Sequence, residues 1–123
     1  MANPQKRKGD AAELECARLI NQLTGFPAER KLGAGRAEDT GDIYGVDDTT
    51  VQVANWKNIS DAVRLKPREC TGQQANAHTK YGCTWIRLRG GEWRVVLTPE
   101  QWGAYARAAS PPGQRDVFKW ASA

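Results

Sequence analysis

Apolar residues at Ala12, Cys16, Leu19, Ile20 and Leu23 recur at three- and four-residue spacing, which predicts an amphipathic helix from about Lys8 to Leu23, closed by the glycine and proline of "TGFP". "AERKL" is a short strand candidate and "GAGRAEDTG" a loop by composition. "DIYGV" and "TVQVANW" read as strands joined across "DDT" into a hairpin. In the second of them alternation puts Val51, Val53 and Asn55 on one face and Gln52, Ala54 and Trp56 on the other. A helix is expected from Ser60 towards Tyr81, beginning irregularly because Pro67 and Gly72 must bend or break it. "CTWIRL" and "EWRVVL" flank "RGG" as a second hairpin. "TPEQ" supplies Thr98 as N-cap, Pro99 at the first helical position and Gln101 three residues after the cap, a capping box that opens a helix to about Ala109. The order helix, three strands, helix, two strands, helix predicts an α/β fold with a central mixed sheet flanked by helices.

Composition narrows the picture. A chain of 123 residues suits one domain with one modest core, assigned to residues 1–109, with a tail at 110–123 whose Val117, Phe118 and Trp120 are expected to dock. The formal charge of +4 raises the odds of a polyanionic partner. Cys16, Cys70 and Cys83 are odd in number and lack C-x-x-C spacing, which favours free thiols in a reducing compartment over a disulfide framework or a zinc ribbon. His78 is the one histidine, so chemistry needing a histidine pair is excluded; a partly exposed helix position is the plain reading of it. No apolar run reaches the roughly 18 residues that cross a bilayer, and the basic N-terminus has no apolar stretch behind it, so a cytoplasmic protein is expected.

Few positions carry chemistry. Glu13 shares a helical stripe with Cys16, Ala17 and Ile20, so its carboxylate should point towards the sheet, where it needs a partner: an arginine such as Arg30, or a site. Glu15 lies off that stripe and reads as solvated. Asp42, at a strand start, could approach Gln52 across the hairpin, and Glu13 could reach the same spot if the first helix covers that face. Such an all-oxygen set suits Mg²⁺, with Mn²⁺ as a substitute. The bland alternative for Asp42 is a strand-start residue, and Asp47 and Asp48 fit a plain turn.

"KRKGDAAELE", "AERKLGAGRAEDTGDIYG", "VQVANWKN", a Gln- and Ala-rich helix and "CTWIRLRGGEWRVVLTPEQW" together resemble the PD-(D/E)XK nuclease superfamily, in particular its small Holliday-junction-resolvase-like members, many of them phage-encoded. The likeness spans nearly the whole chain. It implies a restriction-endonuclease-like core, a metal-dependent endonuclease and a role in DNA recombination. Glu13 matches the family's helix glutamate and Asp42 its strand aspartate; the E-x-K motif departs, with Gln52 at the glutamate position and Ala54 at the lysine position. The resemblance then implies catalysis by Glu13, Asp42 and Gln52 around Mg²⁺ and by a displaced lysine, Lys57 or, on the following helix, Lys66.

Lys6, Arg7, Lys8, Arg30, Lys31, Arg36, Arg64, Lys66 and Arg68 bracket these positions and are candidates for phosphate contact. Branched DNA is the expected partner. A resolvase making two coordinated cuts should be a twofold homodimer, for which Trp102, Tyr105 and the tail offer apolar surface. The competing reading is a decayed PD-(D/E)XK module that binds DNA or protein without cutting.

Overall fold

The computed structural model describes residues 4–31 and 39–111. Arg36, the side chain of Lys6 and the tail residues Val117, Phe118 and Trp120 lie outside the described residues. The elements are α1 (Pro4–Thr24), β1 (Glu29–Arg30), β2 (Ile43–Tyr44), β3 (Thr49–Ala54), α2 (Ile59–Ala77), β4 (Tyr81–Arg87), β5 (Trp93–Val96) and α3 (Pro99–Ala109), in the expected order. They form a five-stranded sheet in the order β1-β2-β3-β4-β5. β3 and β4 run parallel, with Thr49 to Ala54 facing Tyr81 to Ile86, and the other neighbours are antiparallel. The fold is α/β with a mixed sheet.

β3 is central, and a helix covers each of its faces. Ala12, Cys16, Ala17 and Ile20 of α1 pack on Ile43, Val51, Val53 and Cys83. Ala62 of α2 packs on Ala54 and Ile86 from the other side. Each aliphatic side chain so enclosed stabilises by about 1.5–3 kcal/mol relative to exposure, enough for these two clusters to fix the register of the sheet.

Several local expectations are revised. α1 begins at Pro4, ahead of Lys8, and β1 has only two residues of "AERKL". α2 begins regularly at Ile59, where the Asn58 side chain accepts from the Asp61 N–H at 3.0 Å. Pro67 stays inside that helix: a proline there costs about 3 kcal/mol, but it is buried in a stripe with Ala62, Cys70 and Gln73 whose packing outweighs the lost bond. α2 stops at Ala77 because His78 turns left-handed at φ 56° and returns its N–H to Ala75. The capping box of α3 forms as read, through Thr98 and Gln101.

Glu15 is not simply solvated. Its carboxylate accepts from the Trp93 indole at 2.8 Å and from Arg87 Nε at 3.3 Å, tying α1 to the β4–β5 hairpin. The three thiols are free and buried. Burial pushes Cys83 up to about 11 and Cys16 further still, which leaves both as packing groups and not nucleophiles. No helix among the described residues is long and apolar enough to cross a membrane.

Glu15→Ala should therefore lower the free energy of unfolding by about 1–3 kcal/mol, the cost of stripping a charged acceptor from two donors. Exposed Arg18→Ala should stay within about 0.5 kcal/mol, both read from urea midpoints.

Candidate functional site

Gly41 delivers the chain to the sheet at φ +102°, and a side chain there would meet the Val51 carbonyl oxygen at 3.0 Å and Thr50 Cγ2 at 3.1 Å. Only glycine suits both the dihedral and the approach. The β2–β3 pairing is a single register pair, Ile43 with Val51. At its end Asp42 donates its N–H to Val51 O at 2.8 Å, and its carboxylate takes the Val53 N–H at 2.8 Å. Asp42 thus fills a gap in the ladder with one oxygen, which realises the strand-start role. Its other oxygen has no hydrogen-bond partner among the described residues.

The two sides of Asp42 differ. α1 covers the Val51–Val53 face, not the Gln52 face that convergence of Glu13 with Gln52 required, so Glu13 and Gln52 flank Asp42 from opposite faces. Glu13 Oε2 lies 3.5 Å from Arg30 Nε, while Arg30 Nη2 holds Asp10 at 2.7 Å. The arginine partner weighed for Glu13 is therefore present. Burial, and then the negative charge of Asp42, hold the Glu13 carboxyl above its ordinary value.

On the α2 side, Gln52 is 2% exposed and donates Nε2 to Glu69 Oε2 at 2.8 Å. Lys66 Nζ donates to that same oxygen at 3.0 Å and sits 4.9 Å over the Trp56 ring. Gln52 Oε1 is buried with no hydrogen-bond partner. Ala54 is enclosed by Ala62 and Ile86, leaving no room for a lysine side chain at that position. Burial raises the Asp42 carboxyl; the Val53 N–H and the charge of Lys66 oppose that rise, while Asp39 and Glu69 add to it.

Asp39 is a further link that sequence reasoning missed. It accepts from Gln73 Nε2 at 2.8 Å and from the Gly41 N–H at 3.1 Å, and its carbonyl takes Asn76 Nδ2 at 2.9 Å. α2 thereby holds the segment that presents Asp42.

Among the basic candidates, Arg30 is paired with Asp10 and Glu13, Arg64 with Asp61 at 2.9 Å, and Lys31 donates to Thr40 at 2.6 and 2.8 Å. Arg7, Lys8, Lys57 and Arg68 are exposed and make no ion pair among the described residues. Lys8 and Lys57 meet on one cleft of about 450 Å³, lined also by Gly9, Val53, Asn55, Trp56 and Asn58. One of the lining residues, Val53, is the residue whose N–H Asp42 binds.

No group of three or more Asp, Glu, His or Cys among the described residues is placed to hold a metal ion. Two hard oxygens remain without a hydrogen-bond partner among the described residues, the second carboxylate oxygen of Asp42 and the amide oxygen of Gln52, both of the kind Mg²⁺ takes. Glu69 went unnoticed in the sequence, yet a signal existed: Ala62, Lys66, Cys70 and Gln73 follow one helical stripe, and Glu69 lies beside it. No family model, curated protein or solved structure matches the chain.

With Glu13 held above its ordinary value of 4.5, the native state binds that proton more tightly than the unfolded chain does. The stability this contributes is complete below the ordinary value and is lost as pH rises through the native one. Urea midpoints across pH should show wild type losing stability relative to Glu13→Gln as pH climbs above 4.5; a difference growing the other way would put the native value below the ordinary one.

Proposed function

We propose that this protein is a Mg²⁺-dependent, structure-selective DNA endonuclease, hydrolysing phosphodiester bonds in branched DNA in the manner of Holliday-junction resolvases, on a restriction-endonuclease-like core. The observation that carries the reading is the Asp42 carboxylate. It is part-buried where the β2–β3 ladder ends, it keeps one oxygen without a hydrogen-bond partner among the described residues, and the Val53 it binds also lines the Lys8–Lys57 cleft.

Asp42 and Gln52 are the residues that would hold the ion, while Glu13 lies on the opposite face, paired with Arg30. A bound ion would supply charge against the phosphate and activate the attacking water. Lys8 and Lys57 bind flanking phosphates, which gives affinity without sequence preference. Trp102, 63% exposed on α3, offers apolar surface for the twofold dimer that paired cuts require, whereas Tyr105 is stacked on Tyr81 at 5.0 Å.

A second reading, a non-catalytic module that binds DNA or protein, is favoured by the third motif: Gln52 spends its amide on Glu69, and Ala54 is sealed in the core. Cleavage of labelled junction, flap and single-stranded DNA with Mg²⁺ or Mn²⁺ separates the two. Asp42→Asn should cut on the order of a hundredfold or more slower than wild type while folding and DNA affinity hold, because an asparagine oxygen can still accept from Val53. Wild type that binds junctions and never cuts them supports the module.

Binding should also weaken with salt. Replacing Lys8 and Lys57 with alanine should reduce the slope of log K against log salt by about 0.9 for each phosphate no longer neutralised. Unchanged slopes would remove the cleft from the interface. Arg30→Ala and Lys31→Ala are poorer tests, since each also breaks internal bonds.

A further inference from the structure

The cleft between α1 and the loop that joins β3 to α2 holds chemistry that the metal reading leaves unused. Lys8 and Lys57 are the charged residues that line it, and no carboxylate does. At about 450 Å³ it falls within the range of about 300–1,000 Å³ that small ligands occupy. Trp56, Asn55 and Asn58 complete its wall. Trp56 packs on the Ala54–Ala62–Ile86 cluster and has Lys66 Nζ 4.9 Å over its ring, so the indole is held before any ligand arrives. The Asn55 side chain makes no hydrogen bond among the described residues, and Asn58 spends its oxygen on the Asp61 N–H at 3.0 Å, which leaves its Nδ2 to donate. Two cations, an aromatic ring and two amides suit a ligand that is anionic at one end and a flat heterocycle at the other.

Gly9 is an independent sign. It lies inside α1 with an ordinary helical φ, and a Cβ there would meet nothing within 4 Å. Glycine in a helix interior is less stable than alanine, and neither the backbone nor the packing around it asks for one. It lines this same cleft. A helix wall kept bare at a cost in stability is what close approach of a ligand to the backbone requires.

We propose that the cleft takes one unpaired nucleotide of a DNA strand, with its phosphate at Lys8 and Lys57, its base against the Trp56 indole, and the Asn55 and Asn58 amides on the base edge. The inference deepens the proposed function by naming a feature of the substrate, and it rests on the DNA-binding part of that reading alone. A base inside a duplex shows only its edge in the grooves, so an indole can stack on it only once it has left the helix. Lysine contacts to phosphate make no such demand. The branched DNA that suits this cleft is therefore one with unpaired nucleotides at the branch, as a flap has.

The test is fluorescence anisotropy in EDTA, which stops cleavage, on a labelled single strand, a flap and a fully paired duplex. Trp56→Ala should weaken single-strand and flap binding about tenfold and leave duplex binding unchanged. Asn55→Ala should act in the same direction, while Lys57→Ala should weaken all three. Gly9→Ala should raise the urea midpoint and yet weaken the single strand, a pairing that a merely structural glycine would not give. Should Trp56→Ala lose its unfolding transition, Asn55→Ala and Gly9→Ala decide, since neither position packs on the core. Single-strand binding at the wild-type level in these two variants, or a Trp56→Ala loss equal for duplex and single strand, overturns the proposal. If that happens while wild type still binds flap and duplex, DNA binding stands without the nucleotide cleft; wild type that binds no DNA removes both.

Discussion

The constraint on which the rest of the structure depends is the enclosure of β3. From Thr50 to Ala54 each residue is buried, with α1 over one face and α2 over the other. A polar group on such a strand must find its partner inside the protein or go without. Thr50 shares its hydroxyl with Thr79 at 2.6 Å, Val53 gives its N–H to Asp42, and Gln52 gives its amide to Glu69. The site consists of these obligations. Asp42 is oriented because a strand N–H lacks a neighbour, and α2 is held against β3 partly because a buried glutamine needs a carboxylate.

That economy places negative charge close together. Glu13, Asp39 and Glu69 surround Asp42, and burial already disfavours its ionised form. Arg30 on the α1 side and Lys66 on the α2 side offset part of the cost. Strain of this kind is common where carboxylates are kept for a ligand, although structural ion-pair networks produce it as well. Among the described residues the oxygens of Gln52, Gln73 and Thr84 are buried without a partner, so the bare Gln52 oxygen does not by itself set this arrangement apart from a structural network.

Much of the fold was legible because local chemistry agreed with tertiary packing. The α1 stripe, the alternation of β3 and the capping box of α3 appear where the sequence puts them. The start of α2 was misread because Pro67 argues against a helix locally and only the buried face beneath it argues for one. For the site, Asp42 and Gln52 were legible from the strand. The face chosen by α1 was not: Val51 and Gln52 are both buried, so alternation alone cannot say which helix covers which side. Glu69 and Lys66 read as an ordinary i, i+3 surface pair until the register of α2 over β3 is known.

The same packing explains why the strand motif and the helix pair exclude one another. A glutamate at position 52 would set its carboxylate against that of Glu69 and remove the donor that now joins them. A lysine at position 54 would have to enter the closed Ala54–Ala62–Ile86 cluster, where an unpaired ammonium is costly and the extra methylenes force α2 outward. Glu69 can sit against β3 only because Gln52 is neutral and donates, and α2 can lie this close only because Ala54 is small. The neutral amide at position 52 and the methyl at position 54 are therefore the conditions under which α2 lays Glu69 and Lys66 against β3.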